Sequence, residues 1–218
     1  MTQNRSSAVM QQRREPHDSL DDFPTPPWAT RALTEHLFDW LCWGNVAAEV
    51  VREPAANRGF MARPLAERFR EVEASDIFDY GAGFPALDYL WGPLPAPVDW
   101  TITNPPFRLA QQFIERALET SRKGVAMFVR SSFLEGADRY HTLFKTRPPK
   151  LVLQFVERVV IHKGKIVKKG SSATAYSWLV WQCGPGQFSR TTEFDWISPC
   201  RRRLEFPGDY DLPEGIRE

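Results

Sequence analysis

The chain has 218 residues, with 28 Lys and Arg against 27 Asp and Glu, a hydrophobic fraction of 42%, and 8 Trp and 15 Phe. That length suits one α/β domain with a substantial core and is short for two independent domains, while a net charge of +1 leaves any nucleic-acid contact to local basic clusters. Cys42, Cys183 and Cys200 form no Cys-x-x-Cys pair and are odd in number, which argues against a disulfide framework or structural zinc and for a reducing, cytoplasmic setting.

Residues 1–22 are polar and lack both apolar periodicity and a signal-like core, so they read as a mobile arm, and folded structure is expected from Phe23. No apolar run is long enough to span a bilayer, and no membrane partner is expected. Pro26-Pro27 introduces a helix in which Leu33, Leu37 and Leu41 recur at helical spacing. Val46 to Val51 reads as a strand ending at Arg52-Glu53-Pro54. Beyond Gly59, the spacing of Met61, Leu65 and Phe69 predicts a second helix. Glu71 to Asp76 alternates and ends on an acid, as a second strand would, and a right-handed β-α-β crossover follows if the two strands are parallel. The Gly- and Pro-rich stretch from Gly81 to Pro97 reads as loop, and Val98 to Thr103 as a strand ending at Asn104. Leu109 to Leu118 is helical in period, Val125 to Val129 is a buried strand, and Leu151 to Ile161 with Thr174 to Trp181 form a plausible antiparallel pair at the sheet edge. The alternation predicts a doubly wound α/β fold, mostly parallel with an antiparallel strand at the edge.

Asn104-Pro105-Pro106-Phe107 closes the third strand, and each residue has a chemical use. An adenine amino nitrogen is a poor nucleophile because its lone pair is delocalised into the ring. The Asn104 side-chain oxygen and the Pro105 carbonyl could each accept one of its hydrogens, driving the nitrogen toward tetrahedral geometry. Pro105 and Pro106 fix the backbone that presents the carbonyl, since proline φ is held near roughly −65°. Phe107 would stack on the extruded base. The competing reading is that Asn-Pro-Pro merely terminates a strand as a turn.

With these motifs in this order, the chain resembles the class I methyltransferases, in particular the N6-adenine DNA type of phages and prophages, from about Phe23 to Trp181. The resemblance implies a Rossmann-like methyltransferase domain over residues 23–185, with 186–218 as an extension packed on or trailing from it. It also implies S-adenosylmethionine as cofactor. Phe23-Pro24-Thr25-Pro26-Pro27 looks like the amino-terminal motif, with Thr25 and Pro26 at the methionine carboxylate. Glu53, Pro54, Ala55, Gly59, Phe60 and Met61 look like the turn beneath the cofactor. Asp76, with Ile77, matches the acid for the ribose hydroxyls, and Asp88 an acid near the cofactor's adenine. Asn104 adjoins both cofactor and acceptor. A Gly-containing strand-to-helix turn followed some 20 residues later by an acid is physically suited to a nucleoside ligand. Asn57 departs from the pattern, standing where relatives have another Gly, yet Asn tolerates positive φ.

Lys163, Lys165, Lys168 and Lys169, with Lys150, Arg158 and Arg201-Arg202-Arg203, would contact DNA phosphates if they face the Asn104 rim; otherwise they solvate a hairpin. The tail after Trp181 leaves no room for a separate recognition domain, so sequence choice would fall to loops such as Ser132 to His141 or His162 to Ser172, with relaxed specificity. His17, His36, His141 and His162 lack metal-ligand spacing, and no metal is expected. The reading is a DNA adenine N6-methyltransferase. An RNA base or a protein glutamine as acceptor, or a non-catalytic nucleic-acid-binding module, stay open.

Overall fold

The structure, a computed structural model, describes residues 21–170, 172–184, 191–212 and 216. Among the described residues seven strands, β1 (Val50–Glu53), β2 (Glu71–Ala74), β3 (Val98–Thr103), β4 (Ser121–Arg130), β5 (Leu151–Phe155), β6 (Tyr176–Gln182) and β7 (Glu193–Ile197), form one sheet in the order β2-β1-β3-β4-β6-β5-β7. The pairings β1–β2, β1–β3, β3–β4 and β5–β7 are parallel. Only β6 runs against its neighbours, inserted between β4 and β5 near the far edge. The expected α/β architecture, mostly parallel with an antiparallel finish, is what the chain adopts.

Helices cover both faces. The apolar run Val125 to Val129 in β4 is buried throughout, as a strand covered on two sides must be. Its alternate residues divide between two cores. Ala126 and Phe128 join Trp100, Ile102 and Trp178 beneath α1 (Pro27–Thr34), where Trp28 and Leu33 pack, with Leu37 just beyond its end. Val125, Met127 and Val129 join Leu179 beneath α3 (Ala110–Thr120), which contributes Ile114 and Ala117. Trp178 also donates its indole N–H to the Ala29 carbonyl at 3.1 Å, which locks α1 over the sheet.

Several elements differ from their predicted extent. The first strand starts at Val50, because the Asn45 side chain accepts from the Ala47 N–H at 3.0 Å and caps a 3-10 turn over Val46–Ala48. The helix after Gly59 is only α2 (Ala62–Ala66), one regular stretch with Pro64 inside it, although Phe69 still donates back to Leu65 at 2.9 Å. Leu37 lies in a wider π-type continuation of α1 over Glu35–Trp40. The Ser132 to His141 stretch, expected as loop, is a chain of helical turns that includes α4 (Ala137–Arg139). β5 ends at Phe155, and Val159 to Ile161 are buried without being strand. No element is predicted where β7 forms; it is followed by α5 (Arg201–Leu204), clamped to α1 through Arg31, which bonds the Leu204 carbonyl at 2.8 Å and Asp209 at 2.7 and 2.9 Å.

Candidate active site

After β2 the chain crosses to the other side of β1 to lay down β3, so the strand order reverses between β1 and β3. In open α/β sheets the carboxyl ends of the strands at such a reversal frame a crevice. Here that crevice is a cleft of about 910 Å³, partly open to solvent. Thr25, Glu53, Pro54, Ala55, Phe60, Met61, Asp76, Ile77, Asp88, Asn104 and Pro106, all predicted, line it together. Pro26, Gly59, Pro105 and Phe107 do not. Pro26 is the N-cap of α1, its carbonyl accepting from the Ala29 N–H at 2.9 Å. Pro105 is buried. Gly59 turns the chain at φ +83°, where an added Cβ would lie 3.1 Å from the Phe84 ring. Phe107 stands beside the cleft.

Glu53 forms the floor and is 0% exposed. Its Oε1 accepts from the Ala55 N–H at 3.0 Å and the Thr103 hydroxyl at 2.5 Å, while Oε2 has no hydrogen-bond partner among the described residues. Burial outweighs these bonds and pushes the carboxyl up to about 8. Asp76, just past β2, is likewise raised by burial, although Oδ2 accepts from the Asn57 N–H at 2.8 Å and Oδ1 from the Phe78 N–H at 3.0 Å.

Asn57 takes up the positive φ, +51°, that the departing Gly would have supplied. Its side chain is held in turn: Nδ2 donates to Asp22 at 2.7 Å, and Oδ1 accepts from the Arg58 N–H at 2.8 Å. Asp22 also pairs with Arg58 at 3.0 Å. Composition puts Asp21 and Asp22 in the arm, but Asp22 is buried and Asp21 accepts from the Phe107 N–H at 2.8 Å. The rest of that arm, residues 1–20, lies outside the described residues.

The Asn104 amide commits both hydrogens, to the Phe23 carbonyl at 2.9 Å and the Thr25 hydroxyl at 3.0 Å. Its oxygen is therefore the group it can offer to a ligand. Phe107 packs its ring 5.0 Å from Phe23 at a tilt of 42°, and the Arg130 guanidinium lies 4.1 Å over the Phe107 ring. Sequence reasoning missed Asp21, Tyr80, Leu90 and Phe113 among the lining residues, and Arg130 beside them. Phe113 was within reach, on the apolar face of a predicted helix; the others lie in segments without periodicity or at a strand end.

The basic hairpin comes to the same edge of the sheet. His162 and Lys165 bridge around a Lys163-Gly164 turn with Gly164 at φ +77°, and the Gly164 N–H donates to the Asp22 carbonyl at 2.8 Å. The exposed Lys163 and Lys165 thus flank a point one residue from Phe23, whose carbonyl holds Asn104. Lys168 and Lys169 are exposed farther along, and Lys168 pairs with Glu205 at 3.2 Å. Lys150, Arg201 and Arg203 also face acids: Glu193, Glu205 and Glu35. Ser171 lies outside the described residues.

Among the described residues no group of His, Cys, Asp or Glu is arranged to hold a metal ion, and no helix is long and apolar enough to cross a membrane.

No protein-family profile matches this sequence, and no curated protein does. Solved structures do match. A Listeria monocytogenes protein described as a class I S-adenosylmethionine-dependent methyltransferase superposes over 81% of this chain and 67% of its own, with a TM-score of 0.59 and 12% identity. A Vibrio vulnificus protein described as the modification subunit of a type I restriction enzyme matches over 91% of this chain with a TM-score of 0.54 and 14% identity; this chain spans 52% of its length. A Pyrococcus horikoshii protein described as an RNA methyltransferase matches over 81% of this chain and 94% of its own, with a TM-score of 0.54 and 17% identity. At these identities the likeness establishes the fold: this chain has that of the class I methyltransferases.

Proposed function

We propose that this chain is an S-adenosylmethionine-dependent methyltransferase of an exocyclic amino nitrogen, with adenine in DNA as the favoured acceptor. The observation that carries the reading is the Asn104 amide, fixed through both hydrogens so that its oxygen serves as an acceptor at the rim of a nucleoside-sized cleft.

The residues fit the cofactor. A fully buried carboxyl with an unpartnered oxygen, Glu53, suits a cationic ligand group in the cleft. The Asp76 carboxylate, each oxygen holding one backbone N–H, keeps lone pairs for the ribose hydroxyls. Thr25, Phe60, Met61, Ile77 and Asp88 complete the cofactor walls in this reading. When bound, S-adenosylmethionine supplies an electrophilic methyl group on its sulfonium.

The chain's own part is preorganisation. Asn104 Oδ1 and the Pro105 carbonyl accept the two amino hydrogens and localise the nitrogen lone pair, Pro106 stiffens the turn, and Phe107 offers a ring to the base. The proton lost from the methylated nitrogen passes to solvent, so no dedicated base is needed. Lys163 and Lys165, and more distantly Lys168 and Lys169, bear on the DNA phosphates.

A radiolabel transfer assay comparing duplex DNA, single-stranded DNA, RNA and a glutamine-containing protein tests the proposal. Labelled N6-methyladenine from DNA is the expected product, abolished in Asn104→Ala with cofactor affinity largely retained. Label on RNA or protein alone would reassign the acceptor, and no measurable cofactor binding by calorimetry would reject the enzyme reading.

A further inference from the structure

Arg130 is the last residue of β4, in register with Tyr176 on β6, and its side chain is exposed. Its guanidinium lies 4.1 Å over the Phe107 ring, and its register partner Tyr176 stands beside it across the β4–β6 ladder. Among the described residues no acid forms an ion pair with it, whereas the cations of the C-terminal segment, Arg201 and Arg203, are matched by Glu205 and Glu35. Tyr176 in turn lines a second, smaller cleft of about 430 Å³ with Gln154, Glu157 and Arg158. Arg130 therefore stands between the ring beside the reactive cleft and a polar groove along the same edge of the sheet.

A guanidinium on an aromatic face occupies the place that a planar base would take, and the cation–π attraction at an exposed site is weak, about 0.5–1 kcal/mol, so it can be exchanged. A displaced guanidinium on a strand end has limited reach, and a nucleotide whose base enters the cleft keeps its phosphates at the rim. Arg is the side chain best shaped to take such a phosphate through two N–H donors.

Resting on the nucleic-acid reading above, we infer that Arg130 is an acceptor-positioning residue. It covers the Phe107 ring until the acceptor base stacks there, then holds a phosphate flanking that base against the groove lined by Tyr176. The acceptor class is a nucleotide within a strand; a free nucleobase, lacking the phosphate, gains nothing from Arg130.

The test compares wild type with Arg130→Gln, which keeps a planar group without charge, and Arg130→Lys, which keeps the charge without the plane. Oligonucleotide binding is followed by fluorescence anisotropy over a range of salt, alongside KM, kcat and calorimetric cofactor affinity. Arg130→Gln is expected to raise the oligonucleotide KM about ten-fold, leave kcat within about three-fold and cofactor affinity unchanged, and reduce the salt slope by roughly 0.7–0.9, the value of one phosphate contact. Arg130→Lys should keep the slope. An unchanged slope in Arg130→Gln overturns the inference, as does a lower KM, which would make Arg130 only an obstruction. If wild type neither binds nor methylates nucleic acid, the nucleic-acid reading fails first, and the wild-type data alone reveal it.

Discussion

The Nδ2 of Asn104 lies 3.0 Å from the Oγ1 of Thr25, so a residue at the end of the third strand is oriented by one that precedes the first helix. Thr25→Val preserves shape and removes that acceptor, leaving Nδ2 only the Phe23 carbonyl. One lost hydrogen bond of about 1–1.5 kcal/mol, expressed at the reacting atoms, predicts a kcat about ten-fold lower with an unchanged circular dichroism spectrum. Thr25→Ser should stay near wild type. A wild-type kcat in Thr25→Val would show that Asn104 is oriented by other means.

Glu53 sets a pH dependence whose sign can be worked out. Burial lifts its carboxyl to about 8 in the folded chain, so the folded state holds this proton more tightly than the unfolded one. The resulting stability is complete below the ordinary carboxylate range and is lost as pH rises toward 8. Asp76, also raised by burial, tilts in the same direction, so the informative quantity is wild type minus Glu53→Gln. The amide introduced by that substitution mimics the neutral acid and does not titrate. Between pH 5 and pH 8 the wild-type melting midpoint should fall by on the order of 5 °C more than that of Glu53→Gln, measured by scanning calorimetry without cofactor. Parallel curves would mean that Glu53 is ionised in the folded chain.

How much of this was legible in sequence depended on whether burial imposed a period. β3 is legible end to end, because Val98, Trp100 and Ile102 alternate with polar residues between Pro97 and Asn104, and the helices that carry Leu33 and Ile114 show 3.6-residue spacing. β7 escaped because the alternation of Glu193–Ile197 is short and breaks at the adjacent Trp196 and Ile197, and only Ile197 joins the core. In the site, the strand-end residues Glu53, Asp76 and Asn104 were legible because strand ends were. Asp21 and Asp22 were not: nothing local marks a polar residue whose partners, Phe107 and Arg58, are dozens of positions away. Arg130 was hidden in the same way, its meaning lying wholly in the neighbouring Phe107 ring.

Gly124 and Trp100 make a packing test of the sheet. They are register partners across β3 and β4, and a Cβ on Gly124 would fall 2.2 Å from the indole. The indole cannot retreat freely, because its N–H donates to Glu49 at 2.9 Å and Glu49 is itself paired with Lys123 at 2.5 Å. Gly124→Ala should therefore cost about 1–3 kcal/mol by overpacking, lowering the melting midpoint by several degrees. Gly124→Ala combined with Trp100→Phe should lose less than the sum of the two single variants, because the smaller ring removes the clash. Strict additivity would place the cost of the alanine elsewhere.

Asp22 links three segments: its carboxylate accepts from Asn57 at 2.7 Å and pairs with Arg58 at 3.0 Å, and its backbone carbonyl receives the Gly164 N–H at 2.8 Å. The first two bonds brace a loop whose Asn57 sits at φ +51° and whose backbone holds Asp76. Asp22→Ala would leave the Arg58 guanidinium, largely buried, without its acid. The expected loss is about 2 kcal/mol, below the range for a fully buried pair because some solvent reaches this one. Since Asp76 and Asn57 line the cleft together, the same substitution should weaken calorimetric cofactor affinity about ten-fold, whereas Asp22→Asn, which still accepts from Asn57, should fall between the two. Arg58→Ala added to Asp22→Ala should restore part of the stability, by removing the orphaned cation, without restoring cofactor affinity, because the Asn57 brace is still missing. Recovery of both together would assign the loop's order to charge balance alone and not to the bond between Asp22 and Asn57.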